Sequence, residues 1–372
     1  MSKTQNHDHS QKSVLRDEDP SASARKTHHL ELAQRAQTPL QDSYSQMDIL
    51  KFFNYEPLLN GFPDFNDSHL LEAPFAGKTL GAPLWISSMT GGTGEARHIN
   101  QNLAHAAKEF GLGIGLGSCR QLLTSDEFFE DFNLRPIVGH DICLMANFGL
   151  AQVDQLLLQG HWDKLEEVCK RLEVDGLFIH INPLQEFFQA EGDQWKRSPL
   201  EIIDEVLERL EKSNLKLGIK EVGQGMGPES LAEVLKRPID IFEFGALGGT
   251  NFSFLEKMRS VGLSKNEDSS SVDLRFVGHD AQEMVRLINQ ILEKKQDKQS
   301  SCPDFIISGG IRSYLQGHYL MEALQAPCVY GMALPFLTHA AKGRDALCEY
   351  ISSELNGLKM AKQFLRPKGL KG

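Results

Sequence analysis

The sequence predicts an α/β fold, and within that class a (β/α)8 TIM barrel with a short N-terminal extension. From Pro83 onward, eight short apolar runs alternate with amphipathic stretches, a pattern typical of parallel β-α-β units with right-handed crossovers. Polar or glycine-rich motifs follow almost every run, as expected when one mouth of a closed barrel collects all the βα loops. In a doubly wound open sheet, which is the main alternative, only the loops near a switch point would carry such motifs.

The predicted strands are four to seven residues long, rich in β-branched or bulky residues and bounded by turn residues. In chain order they are Leu84–Ser88, Gly113–Leu116, Ile142–Ala146, Gly176–Ile181, Lys216–Val222, Ile239–Phe244, Asp304–Ser308 and Cys328–Met332. Helical periodicity between them covers Ile99–Phe110, Trp162–Leu172, Pro199–Lys212, Ala281–Lys294 and Tyr314–Leu324.

The chain of 372 residues is long enough for two average domains, but barrels commonly exceed that average size as one domain. Residues 1–24 are polar and lack the apolar segment of a signal peptide, so we expect a disordered tail. Residues 25–372 then form a single barrel domain, in which the serine-rich stretch 264–271 is a predicted mobile loop.

Composition limits the classes of partner. Against 39 Lys and Arg stand 50 Asp and Glu, and the resulting net charge of -11 argues against nucleic-acid or anionic-membrane binding, because both need a basic face. No run is apolar enough for a transmembrane helix. The six cysteines form no C-x-x-C pair and no zinc-binding spacing, which fits reduced thiols and a cytoplasmic location.

The ends of the first three strands carry hydrogen-bonding and charged groups. Ser87–Gly94 combines hydroxyls with glycines, which suits either an anionic ligand on backbone N–H groups or simply a tight turn. The second strand leads into Gly117–Arg120, where the Arg120 guanidinium suits a carboxylate or phosphate, or an ion pair with a loop acid. The third ends at Asn147.

The fourth strand delivers the densest polar cluster, His180, Asn182, Gln185 and Glu186. His180 and Asn182 share one face of an extended chain, and Pro183 ends the strand. A lone histidine in a strand is more often a satisfied interior residue, but four polar groups after an apolar run indicate a functional site. The following Asp193 is either a further acid of that site or part of a solvated loop.

The remaining strands add a cation and glycine-rich loops. Lys220 lies within an apolar strand and must find a partner, which cannot be Glu221 because strand neighbours point to opposite faces. A glycine loop precedes Thr250, and the glycines of Ser308–Arg312 and Gly331–Ala333 follow the last two strands. Glycine-rich ends of those two strands form the common phosphate site of such barrels, so a phosphorylated ligand is predicted.

Taken together, these motifs resemble the type 2 isopentenyl-diphosphate delta-isomerases, FMN-dependent barrels unrelated to the metal-dependent type 1 enzymes. The similarity includes SSMTGGT, GSCR, MANFG, HINPLQE, EGD, KEVG, GGTNF, SGGIR and GMA, in the order of that family. It implies that isopentenyl diphosphate and dimethylallyl diphosphate are interconverted by a 1,3-allylic proton shift, with reduced FMN as acid/base, Mg²⁺ on the diphosphate and NADPH as reductant. It also implies a homo-oligomer, a tetramer or octamer.

The resemblance assigns roles by position. FMN-binding residues would be Ser88, Met89, Thr90, Ser118, Asn147, Lys220, Thr250, Gly310, Arg312, Met332 and Ala333. Substrate-binding residues would be Arg25, Lys26, His29, Arg120, Asn182 and Gln185. The catalytic residues would be His180, Gln185 and Glu256, and Glu186 would ligate Mg²⁺.

The sequence departs from the family pattern at several positions. Asn251-Phe252 stands where Ser-Trp is usual, and Tyr314 and Cys119 replace Gly and Gln.

Three rival functions are compatible with parts of the sequence. A 2-hydroxy-acid oxidase would need a general-base histidine at the end of the sixth strand, which Phe244–Thr250 lacks. A dehydrogenase resembling the inosine-monophosphate enzymes would need a nucleophilic cysteine, for which Cys119 is a candidate unless it is buried and inert. A flavin-binding protein without catalysis is the third possibility.

Overall fold

The structure is a computed structural model that describes residues 35–37, 49–88, 90–92, 95–189, 192–193, 195–260, 274–294 and 302–369. The predicted tail (1–24) and the predicted mobile loop (264–271) lie outside the described residues.

The described chain alternates strands and helices from residue 84 onward. Its strands are β1 (Phe53–Tyr55), β2 (Ala73–Phe75), β3 (Lys78–Leu80), β4 (Leu84–Ile86), β5 (Gly113–Gly115), β6 (Leu144–Gly149), β7 (Gly176–His180), β8 (Lys216–Lys220), β9 (Ile241–Glu243), β10 (Asp304–Ile307), β11 (Cys328–Met332) and β12 (Leu365–Pro367). Its α-helices are α1 (Glu95–Phe110), α2 (Phe129–Phe132), α3 (Arg135–Val138), α4 (Leu150–Leu158), α5 (Trp162–Arg171), α6 (Pro183–Phe188), α7 (Pro199–Leu210), α8 (Pro228–Val234), α9 (Phe252–Ser260), α10 (Ala281–Lys294), α11 (Tyr314–Ala323), α12 (Leu334–Lys342) and α13 (Arg344–Phe364). Short 3-10 helices cover Leu50–Phe52, Arg120–Leu123 and Leu274–Phe276.

The eight strands β4–β11 close into one parallel barrel, which confirms the predicted fold. The third barrel strand lies further along the chain than predicted. The sequence predicts Ile142–Ala146, whereas β6 spans Leu144–Gly149. The Ile142 carbonyl accepts hydrogen bonds from the Lys78 and Arg135 side chains at the amino-terminal end of the barrel. It is therefore not part of the hydrogen-bond ladder between strands. Pairing with β7 instead continues through Gly149, which lies opposite His180.

Large apolar side chains fill the part of the barrel interior nearest the amino-terminal ends of the strands. Trp85, Phe178 and Ile306 form a fully buried cluster with Phe75 of β2. Gly113 is required beside Trp85, because a Cβ at this position would lie 2.1 Å from the indole atom Cζ3. The interior is therefore closed at the amino-terminal ends of the strands, and a ligand can enter only at the carboxyl ends.

The residues before β4 contact both ends of the barrel. The β2–β3 hairpin covers the amino-terminal end, where Ala76 N donates to Asp304 Oδ2 at 2.6 Å. At the opposite end, Gln37 forms an antiparallel bridge with Thr250, and Asn251 N donates to Ala36 O at 2.8 Å. β1 pairs with β12 and so joins the extension to the last strand. Among the described residues no helix is long and apolar enough to cross a membrane.

Candidate active site at the carboxyl ends of the strands

A layer of polar side chains replaces the apolar interior where the barrel strands end. Asn147, His180, Lys220 and Glu243 point inward from β6, β7, β8 and β9, because each occupies the alternate position that faces the barrel axis. The backbone ladder fixes their positions, since His180 lies opposite Lys220 and Lys220 lies opposite Glu243. Lys220 and Glu243 are buried, with 3.5 Å between Nζ and Oε2. Lys220 therefore has the partner that the sequence required, and Glu243, which sequence reasoning missed, is that partner.

His180 lies in this layer as an uncharged ring. Burial, assisted by the nearby Lys220 cation, lowers the pKa of His180 to about 3. Its Nδ1 is 2.8 Å from Asn147 Oδ1, and because a carboxamide oxygen only accepts, the imidazole proton lies on Nδ1. His180 can therefore bind a ligand by hydrogen bonding but contributes no positive charge near pH 7.

The loop after β7 connects to α9 through one continuous hydrogen-bond network. Asn182 Nδ2 donates to Gln185 Oε1 at 3.0 Å and to Glu186 Oε1 at 3.4 Å. Gln185 Nε2 in turn donates to Glu256 Oε1 at 3.1 Å. The helix α6 starts at Pro183, so Asn182 and the next turn of helix present their side chains together. Three residues of the HINPLQE motif are thus joined to one another and, through Gln185, to Glu256.

A second set of polar groups extends this network toward β5. Asp193 N donates to Glu186 Oε2 at 2.7 Å, and the Asp193 carboxylate pairs with Arg120 at 2.8 Å. The buried Gln152 of α4 donates to the same carboxylate at 3.0 Å. Arg120 thus forms the ion pair with a loop acid that the sequence allowed, while its side chain stays 55% exposed at the mouth. Gln152 was missed, although its place in the first turn of the helix after MANFG could have indicated it.

The described carboxylates at the mouth are not grouped closely enough to hold a metal by themselves. Within the described parts of the chain, no group of three or more His, Cys, Asp or Glu side chains is placed to bind one. Burial raises the pKa of Glu186, and the neighbouring Asp193 carboxylate acts in the same direction. Mg²⁺ is commonly held by one or two carboxylates with substrate phosphates and water, so this arrangement fits a metal that arrives with a phosphorylated ligand.

The loops after β9 and β10 form a backbone cradle. Ala246 N donates to Ser308 O at 3.0 Å, and Gly309 and Gly310 have φ values of 95° and 76°. A Cβ on Gly310 would lie 2.8 Å from the Gly248 carbonyl carbon, so the two loops meet main chain to main chain. This close packing leaves a surface of peptide groups at Gly309 and Gly310, which follow β10, the seventh barrel strand. The loops after the seventh and eighth strands are the usual phosphate site of such barrels.

Several buried polar atoms near the mouth have no hydrogen-bond partner among the described residues. They include Ser87 Oγ and Ser88 Oγ, which follow β4. The Lys220 ammonium likewise makes no hydrogen bond within the described chain. Buried polar groups normally have partners, so these atoms fit the oxygen and nitrogen atoms of a polar ring system such as that of FMN.

The other predicted cofactor residues border this space in different ways. Thr250 is buried and its Oγ1 accepts from Gln37 Nε2 at 3.1 Å, whereas Arg312 is exposed beyond Gly310. Met332 can contribute only main-chain atoms, because its side chain is buried beside Tyr350 on the outer side of the barrel. Thr90, Ser118 and Ala333 follow β4, β5 and β11 at the same end of the barrel, and the Thr90 hydroxyl donates to Asn100 Oδ1. Arg25, Lys26, His29 and Met89 lie outside the described residues.

Three of the residues that depart from the family pattern, Asn251, Tyr314 and Cys119, have defined contacts in the structure. Asn251 is fully buried, accepts from Phe254 N at 2.9 Å and donates to Arg275 O at 2.6 Å, so it caps α9. The ring of Tyr314 packs against Gly357 of α13. Cys119 is fully buried with Sγ 3.4 Å from Gly117 O, which supports the inert thiol rather than a nucleophile.

Comparison with known proteins gives the same direction. The chain is 30% identical over 342 residues to the isopentenyl-diphosphate delta-isomerase of Rickettsia rickettsii, with 90% of this chain and 91% of that protein covered. It is 34% identical over 292 residues to the isopentenyl-diphosphate delta-isomerase of Synechococcus, covering 78% of each. The flavin-binding domain of baker's yeast flavocytochrome b2 superimposes with a TM-score of 0.58 at 11% identity, covering 91% of this chain and 78% of that one. No family model matches the sequence.

The fold and the site together are those of a (β/α)8-barrel enzyme, a class in which the active site lies at the carboxyl ends of the strands. The flavocytochrome likeness shows this shared fold and no more, because its sequence identity is low. The two isomerase relatives decide the family, and the chain belongs to the isopentenyl-diphosphate delta-isomerases. The isopentenyl-diphosphate delta-isomerase family predicted from the motifs is thereby confirmed.

Proposed function

We propose that this chain interconverts isopentenyl diphosphate and dimethylallyl diphosphate as an FMN-dependent isomerase. The observation that carries the proposal is the convergence of Asn182, Gln185, Glu186 and Glu256 in one hydrogen-bond network beside the Lys220 layer. A 1,3-allylic proton shift removes a proton at one carbon and adds one at another, with no net oxidation. The site must therefore hold an apolar chain, bind a diphosphate and exclude competing water.

The network supports the substrate from one side. Glu256 is buried and is held by Gln185, so the amide fixes the position of the carboxylate. Asn182 is held in turn by Gln185 and Glu186. Such mutual support is what a site needs to keep its side chains in one geometry while a proton moves. Gln185, Glu256 and the uncharged His180 are the residues we assign to catalysis.

FMN fits the mouth of the barrel next to this polar layer. Its phosphate would lie on the main chain at Gly310, Ala333 and the start of α12, and its ring beside Ser88, Asn147 and Lys220. When bound and reduced, FMN supplies an electron-rich ring that stabilises positive charge on the alkene and exchanges a proton. Lys220 contributes a cation to that side of the ring and so favours its negatively charged reduced form.

Mg²⁺, NADPH and the remaining substrate contacts complete the proposal. Glu186 would ligate Mg²⁺ together with diphosphate oxygens, and NADPH would reduce the flavin. Arg120 would bind the diphosphate after release from Asp193. Arg25, Lys26 and His29 would also bind the diphosphate. They precede Gln37 in the chain, and Gln37 is bound to Thr250 at the mouth of the same subunit. A homo-oligomer and a cytoplasmic location stay predictions.

One observation weighs against the hydroxy-acid oxidase alternative. The segment Phe244–Thr250 contains no histidine, and the ring of His279, whose carbonyl accepts from Leu247 N, faces Glu283 at 3.0 Å. The segment Phe244–Thr250, directly after the sixth barrel strand, therefore supplies no general base of that kind.

The deciding experiment is an isomerase assay on purified protein loaded with FMN. We expect conversion of isopentenyl diphosphate only when the flavin is reduced and Mg²⁺ is present. Protein that takes up no FMN, or that oxidises a hydroxy acid without isomerising the diphosphate, would overturn the proposal.

A further inference from the structure

Lys220 and Glu243 form an ion pair with an unusual combination of burial and distance. The side chains are 6% and 1% exposed, and 3.5 Å separates Nζ from Oε2. Neither this oxygen nor the ammonium makes a hydrogen bond within the described residues. The two residues are direct partners in the β8–β9 ladder, so the barrel backbone fixes their separation.

The pair does not have the geometry of one that stabilises the fold. Removing two charges from water is costly, and the cost is recovered only with close contact and additional hydrogen bonds. This pair has neither, although the ammonium has three donors. Its geometry instead keeps those donors available for an acceptor that is not part of the chain.

The pair also determines the charge that such an acceptor experiences. His180 is uncharged, because burial and Lys220 lower its pKa to about 3. Glu221, the strand neighbour of Lys220, points to the other face, where it accepts from Gln224 N at 2.6 Å and Gly225 N at 3.0 Å. Of the ionisable groups on these strands, Lys220 and Glu243 are thus the two that supply charge to the layer, and their charges sum to zero.

We propose that Glu243 is a positioning residue that holds Lys220 toward the flavin ring and sets the reduction potential of the bound flavin. This inference rests on the proposed function, because it requires FMN beside Lys220. With Glu243 ionised, the Lys220 charge is partly neutralised, which restrains reduction to the negatively charged flavin. Removing the carboxylate charge leaves an uncompensated cation, so reduction becomes easier.

The test is the midpoint potential of FMN-loaded protein, measured by spectroelectrochemistry for the wild type and Glu243→Gln. We expect the variant to shift the equilibrium at least tenfold toward reduced flavin, which is about +30 mV for a two-electron couple. Glu354→Gln is the matched control, since Glu354 is a buried carboxyl on α13 with an unpartnered Oε2, and its potential should equal that of the wild type. An unchanged potential in folded, FMN-loaded Glu243→Gln, or an equal shift in the control, would overturn the inference.

Two further measurements keep the inference testable. If Glu243→Gln does not fold, Glu243→Asp withdraws the carboxylate by one methylene and should shift the potential in the same direction by a smaller amount; no shift overturns the inference. FMN affinity, measured by flavin fluorescence, separates the two proposals. Wild type that binds no FMN refutes the proposed function and this inference with it, whereas wild type that binds FMN and isomerises while the variants keep its potential refutes the inference alone.

Discussion

Substitution of Gln185 by methionine isolates the contribution of the hydrogen-bond network, because the two side chains have similar length and volume. Gln185→Met removes the bond from Asn182 at 3.0 Å and the bond to Glu256 at 3.1 Å. A net hydrogen bond between neutral groups contributes about 0.5–1.5 kcal/mol, and one to a charged group about 1.5–3 kcal/mol. The network therefore loses about 2–4.5 kcal/mol.

If this energy positions the reacting groups, it appears in the rate. Each 1.36 kcal/mol of barrier is about tenfold, so kcat/KM of Gln185→Met should fall between about thirtyfold and about two-thousandfold. The assay follows conversion of labelled isopentenyl diphosphate by reduced, FMN-loaded enzyme at saturating Mg²⁺. Flavin absorbance confirms equal loading.

Gln363→Met is the matched control for this substitution. Gln363 Nε2 also donates a hydrogen bond, to Gly61 O at 2.6 Å, but it lies half-buried on α13 beside the amino-terminal extension. Its replacement should leave kcat/KM unchanged. A loss of less than threefold in FMN-loaded Gln185→Met, with the control equally active, would refute the positioning role of Gln185.

Three other predictions address stability and the buried thiol. Although burial acts to raise it, hydrogen bonds from Lys78, the Leu144 amide and Arg135 hold the pKa of Asp175 below its usual value; its stabilisation is thus present above the unfolded pKa of about 4 and lost as pH falls through the folded pKa. Asp175→Asn should accordingly flatten the acid limb of stability in chemical denaturation, and an unaltered limb would contradict this. Asn251→Ala should lower stability by about 1–2 kcal/mol through loss of the α9 cap, measured by thermal unfolding, whereas an unchanged Tm would show that the cap contributes little. Cys119→Ala should keep isomerase turnover within about twofold, and complete inactivation would restore the nucleophile hypothesis.

The barrel could be predicted from the sequence because its signals are local. Eight apolar runs are bounded by turn residues, and the motif after each run lies at the carboxyl end of a strand whatever the exact strand ends are. The displacement of β6 shows the limit of such signals. Its start depends on Lys78 and Arg135 binding the Ile142 carbonyl, and Lys78 lies more than sixty residues away in the chain.

The candidate site was predictable where a motif brings several polar residues together, and not where a single residue acts across the barrel. The HINPLQE motif identified Asn182, Gln185 and Glu186 directly. Glu243 lies in an apolar run in which a lone acid resembles a strand-end charge, and only the β8–β9 register shows that it faces Lys220. Gln152 depends likewise on the position of Asp193, forty-one residues later in the chain.

The two ends of the barrel each carry a lysine–carboxylate pair, and their contrast separates stability from function. At the amino-terminal end, Lys78 Nζ lies 2.6 Å from Asp175 Oδ1, and Arg135 and Leu144 N also bind this carboxylate. Those side chains of Lys78 and Asp175 are 21% and 23% exposed, so the pair with the smaller desolvation cost has the closer contact. The Lys220–Glu243 pair is more deeply buried and yet longer, at 3.5 Å. If both pairs served stability alone, the more deeply buried pair would have the closer contact. The Lys220–Glu243 pair instead has the geometry of a functional site, in which the ammonium donors stay available for a bound group.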